Sequence, residues 1–184
     1  MKQLVPDRPT RVWDPFVRLF HWSLVACVLL NFFVVDDGDA AHVWLGYTAT
    51  GLVVVRIVWG FIGSPHARFS DFFPTPARLR QHVAGLRSGE REVPVGHNPF
   101  GALMMLALMA LVLGLGLSGW LLTLDAYWGA EWLEDLHEAL ASTLITLAGL
   151  HAASAIVMGR LERTNLIGAM VTGVKLRRSR QQVR

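Results

Sequence analysis

Four stretches of this chain are each long enough and apolar enough to cross a bilayer, and that limits its fold before any other feature is weighed. A spanning helix needs about 20 mostly apolar residues. The first stretch runs from about Phe16 to Val35, interrupted by Arg18, His21 and Asn31. The second, about Ala41 to Ile62, contains His42 and Arg56. The third, Pro99 to Leu124, has no charged residue, and the fourth runs from about Trp132 to Gly159. Over half of the 184 residues therefore lie in spans, and the expected fold is an all-α integral membrane four-helix bundle in a single domain. No small-residue cleavage motif follows the first apolar run, so it is expected to stay as a spanning helix rather than leave as a signal peptide.

Composition agrees. Hydrophobic residues make up 53% of the chain and charged residues only 17%, where a soluble domain carries roughly 25% charge. An ordinary soluble enzyme, a disordered chain and a disulfide-stapled module are excluded, the last because Cys27 is the one cysteine. The isoelectric point near 9.6 does not point to nucleic acid, because the basic residues are sorted by loop. All 17 Lys and Arg lie before or just inside span one, from Arg56 through the loop 63–98, or after span four. The other two loops carry acids, among them Asp36, Asp37, Asp39, Asp125, Glu131, Glu134 and Asp135. The positive-inside rule then puts both termini and the long loop in the cytoplasm. Within that loop, Pro76 to Arg87 reads as a basic amphipathic helix lying on the inner surface, and Asn98-Pro99 as a helix cap opening span three.

Ionisable groups inside hydrocarbon are costly and mark function. His137 and His151 are 14 residues apart on span four. At ~100° per residue they share a face, and at 1.5 Å per residue they are about 21 Å apart along the axis. One therefore lies near each surface of a core about 30 Å thick. His42 lies at the outer level with His137, and His21 at the inner level with His151. Two histidine pairs, one per leaflet, suit two haems, each held by two axial imidazoles from facing helices. A closed zinc site would need four ligands together, and no C-x-x-C-H is present for covalent haem attachment. Arg18, one turn from His21, and Arg56 lie at the inner level, where haem propionates would need cations. His97, in Gly96-His97-Asn98-Pro99, is a candidate for propionate contact or for proton exchange with a quinone. Gly114, Gly116 and Gly119 in span three are expected to let helices approach closely.

These residues resemble the bacterial cytochrome b561 family, including the b-type cytochrome subunits of nickel-iron hydrogenases. The likeness rests on Val12-Trp13-Asp14-Pro15 through Arg18-Leu19-Phe20-His21-Trp22, on His42-Val43-Trp44-Leu45-Gly46-Tyr47 and on Arg56-Ile57-Val58-Trp59-Gly60-Phe61. It continues through His66-Ala67-Arg68-Phe69-Ser70, Gly96-His97-Asn98-Pro99-Phe100-Gly101, and His137-Glu138 followed by His151, covering about residues 12 to 160. The resemblance implies a multi-pass cytochrome of the bacterial inner membrane with two non-covalent b haems, His21 and His151 on the inner one and His42 and His137 on the outer. It further implies electron transfer between a periplasmic partner and the membrane quinone pool. The partner would be a hydrogenase small subunit or a soluble c-type cytochrome meeting the acidic outer loops. Two alternatives stay open at this stage: a stand-alone quinone oxidoreductase consuming superoxide at the outer haem, and a haem-free transporter lined by histidines.

Overall fold

Lipid offers no hydrogen bonds, so an apolar stretch must satisfy its own backbone, and a helix does this within one segment. In a computed structural model of the chain, residues 8–88, 98–161 and 164–177 are described. Strand β1 (Arg8–Arg11) leads into helix α1 (Pro15–Phe33), and a turn at Gly38 into α2 (Ala40–Ile62). A 3-10 turn at Pro65–Ala67, the short α3 (Phe69–Phe72) and α4 (Pro76–Ser88) follow. Helix α5 (Pro99–Leu122) then runs back, a second 3-10 turn at Asp125–Tyr127 reverses the chain, and α6 (Glu131–Leu161) returns. Helix α7 (Leu166–Thr172) and strand β2 (Val174–Arg177) close the described chain.

Helices α1, α2, α5 and α6 are each long and apolar enough to cross a membrane. Their starts are written locally. Asp14 accepts from the Val17 amide at 2.8 Å with Pro15 at the first helical position, and Asn98 accepts from the Gly101 amide at 2.6 Å with Pro99 likewise placed. Each carboxylate or amide oxygen satisfies an amide that the helix cannot, and proline has no amide to satisfy there. Helix α7 is capped at both ends, by Asn165 on the Gly168 amide at 2.7 Å and by Gly173 in the left-handed region at φ 82°.

The helices pack in the order α1, α2, α5, α6: α1 lies along α2, α2 along α5, and α5 along α6. Cys27, Ala49, Val53, Met109, Val112 and Leu144, drawn from all four, form one buried apolar cluster. Helix α6 makes no comparable packing with α1 or α2, so its histidine face looks across the bundle rather than into a tight helix seam.

One feature has no counterpart in the sequence reading. Strands β1 and β2 pair antiparallel, with Arg8 opposite Arg177 and Arg11 opposite Val174. The Val12 and Trp13 amides both donate to the Gly173 carbonyl, at 2.9 and 3.2 Å. The two ends of the described chain are thus joined on one side of the bundle.

Candidate redox-cofactor site

The expected outer pair, His42 and His137, forms where α2 begins and α6 completes its second turn. The rings of His42 and His137 lie 6.2 Å apart between centres, tilted by 56°. Two imidazoles gripping one metal ion from opposite sides, at about 2 Å each, have ring centres roughly 6 Å apart. His42 Nδ1 is buried without a hydrogen-bond partner and lies 3.7 Å from the exposed Asp37 carboxylate. His137 Nδ1 lies 2.8 Å from the Ser118 hydroxyl on α5. A Cβ built on Gly119 would stand 3.2 Å from His137 Cε1, so α5 approaches that edge of the ring closely.

The expected inner pair draws one histidine from α1 and one from α6. His21 and His151 are near enough to interact electrostatically, and both are partly buried. His21 meets Trp22 edge-on at 5.1 Å, and its Nδ1 is buried with no hydrogen-bond partner. His42 and His137 therefore meet ring to ring, and His21 and His151 lie within electrostatic reach of each other. Among the described residues no three of His, Cys, Asp or Glu come together in a way that could hold a bare metal ion. Two imidazoles suffice for an iron whose other four donors come from a macrocycle. The residues present fit a haem.

The candidate cations have partners of their own. Arg56 is 2% exposed; its Nη2 donates to the Ala67 carbonyl at 3.1 Å and its guanidinium lies 5.7 Å from the centre of the Phe69 ring. It therefore points into the protein and does not snorkel to water. Asp14, just outside the spans, lies within electrostatic reach of Arg56, and Arg56 Nη1 stays buried without a hydrogen-bond partner. Arg18 donates through Nη2 to the Val171 carbonyl, tying α1 to α7, and its Nε is buried without a partner. His97 lies outside the described residues.

Two residues of the site's surroundings escaped the sequence reading. Ser118 is 3% exposed inside an otherwise apolar run; a lone hydroxyl there was the available signal, but its neighbour depends on how α5 packs on α6. Asn31 has its Oδ1 buried without a hydrogen-bond partner, with its amide nitrogen near Gly46 of α2. Asp14 was visible as part of a motif, yet its role as a meeting point was not. Its carboxylate also accepts from the Trp59 indole at 3.1 Å and from the Ser64 hydroxyl at 2.5 Å.

Comparisons with curated proteins and with solved structures gave no match. A family model described as prokaryotic cytochrome b561 matches residues 12–173, a span that starts at the end of β1 and stops at the Gly173 cap. That match takes in the four apolar helices and the four histidines within them, His21, His42, His137 and His151. A membrane-embedded helical bundle with b-haem binding and electron transfer follows, and the chain belongs to the prokaryotic cytochrome b561 family.

Proposed function

We propose that this chain carries electrons across the bacterial cytoplasmic membrane, between a redox partner at the outer surface and the quinone pool. Two non-covalent b haems would be held by His42 with His137 and by His21 with His151. The observation that carries this reading is the outer pair, whose ring centres are 6.2 Å apart in a bundle that otherwise spaces α6 away from α2. When bound, each haem supplies one-electron reduction and oxidation at its iron.

The chain's own residues do the rest. The imidazoles of His42 and His137 and of His21 and His151 would hold the two haems, and the two on α6 would set levels about 21 Å apart along the helix axis. Apolar side chains around them exclude water and lower the local dielectric, which tunes potential. The sorted charges support an orientation with both termini inside. The acids Asp36, Asp37, Asp39, Asp125 and Glu131 in the opposite loops offer a negative surface to a basic redox partner, a hydrogenase small subunit or a c-type cytochrome. At the inner level, Arg56 and His97 are the residues proposed to lie beside the quinone.

The test is a dithionite-reduced minus oxidised visible spectrum of detergent-purified protein, with haem quantified against protein. Two b haems per chain are expected. His151→Ala is expected to lose one haem and His137→Ala the other. Retention of both haems in either variant would sink the pairing, and a protein without chromophore, expressed with ample haem, would sink the reading.

A further inference from the structure

We propose that Ser118 is a positioning residue for His137, fixing which imidazole nitrogen is presented to the outer haem iron. This rests on the reading of His137 as a ligand of that haem. The hydroxyl of Ser118 sits 2.9 Å from the Gly114 carbonyl one turn back on α5 and 3.3 Å from that of Leu115. A hydroxyl has one proton to give, and a serine inside a membrane helix commonly gives it to the carbonyl four residues earlier. With that proton directed to Gly114, the oxygen has only lone pairs left for His137 Nδ1, 2.8 Å away. Nδ1 must then carry the hydrogen and donate it. The result is a chain from His137 Nδ1–H to Ser118 Oγ–H to the Gly114 carbonyl, and it leaves Nε2 unprotonated, the form that can bind a metal.

The same helix also sets the ring's position. Gly119 brings the α5 backbone against the Nδ1–Cε1 edge, where an added Cβ would be 3.2 Å from Cε1 and 3.7 Å from Nδ1. The Nε2 edge is thereby turned away from α5. None of the other three histidines has this support: no hydroxyl bonds to His21, His42 or His151 among the described residues, and Nδ1 of His21 and of His42 is buried without a hydrogen-bond partner. Ser118 is 3% exposed, so water does not replace it as acceptor.

An acceptor on the distal N–H makes an imidazole a better electron donor and favours the oxidised iron. The experiment is a spectroelectrochemical titration of the two haems with low-spin electron paramagnetic resonance, on wild type, S118A, S118T, G119A and H137A. S118A should keep two haems, raise the midpoint of one and leave the other unmoved. The haem that shifts should be the one missing from H137A. S118T, which retains the hydroxyl, should return the midpoint toward wild type, and G119A should move the resonance of the same haem by crowding its ligand. If S118A instead loses that haem, its return in S118T supports the proposal, and its loss in both reassigns Ser118 to packing. Unchanged midpoints and spectrum in S118A, with H137A lacking a haem, overturn the role of Ser118 alone. Two haems retained in H137A overturn the ligand reading, and the proposal with it.

Discussion

Asp14 shows how much one side chain can join at a membrane surface. It caps α1, holds the Trp59 indole at the end of α2 and receives the Ser64 hydroxyl of the following turn. Burial pushes its carboxyl up, but hydrogen bonds from Ser64, the Val17 amide, Trp59 and the Phe16 amide outweigh it and hold the group below the usual carboxylate range. The sign follows from linkage: a carboxyl whose folded value is depressed stabilises fully above its unfolded value, near 4, and that share is lost as pH falls through the folded value. Asp14→Ala is expected to cost about 1–2 kcal/mol at neutral pH. In thermal unfolding in detergent, the gap from wild type should narrow as pH drops below about 4; a gap independent of pH would remove the charge from the account. Arg56 is the second such residue, because losing its donor strands the Ala67 carbonyl at a cost of roughly 1–3 kcal/mol. Arg56→Leu should also lower the midpoint of the inner haem more than that of the outer, since a nearby positive charge favours reduction. An unmoved inner midpoint would confine Arg56 to holding the loop.

Helix α5 is the element on which the bundle is assembled. It carries no charge, its one polar side-chain contact across the bundle among the described residues is Ser118 on His137, and small residues decide which neighbour meets which face. A Cβ on Gly116 would run into Thr50 of α2, while one on Gly114 would touch Leu140 of α6 at 3.4 Å and one on Gly119 would meet His137. Gly116 therefore seats α2, and Gly114 and Gly119 seat α6. Gly116→Val should separate α2 from α5 and cost about 1–3 kcal/mol by overpacking, seen as a lower unfolding temperature in detergent. A wild-type unfolding temperature would mean that Thr50 simply turns aside. The glycines were legible in the sequence as close-approach sites, but nothing in their order along α5 distinguished the partner of each. Helix α4, by contrast, was legible as a helix, since the basic amphipathic run 76–87 describes a local element, Pro76–Ser88.

Taken as a whole, the described residues hold four apolar helices and a two-stranded sheet that pairs residues 8–11 with 174–177. Both features put the two ends of the described chain on one side of a membrane, and the sorting of Lys and Arg predicts that this side is the cytoplasm. A fluorescent protein fused after Arg184 should fold and fluoresce, and alkaline phosphatase inserted at Gly38 or Gly129 should be active. The opposite pattern would invert the chain and move the His42–His137 pair to the inner face.

The spans, the Asn98–Pro99 cap and the helical spacing of His137 and His151 were readable from the residues, because they depend on rise per residue, helical phase and the self-satisfied backbone that lipid enforces. Those are properties of one segment at a time. The pairing of β1 with β2, the turning of Arg56 onto Ala67 and of Arg18 onto Val171, and the seating of Ser118 against His137 were not readable. Each depends on the axial offset and rotation between helices distant in sequence, and in hydrocarbon those are set by close packing rather than by any hydrophobic pattern a single helix can display.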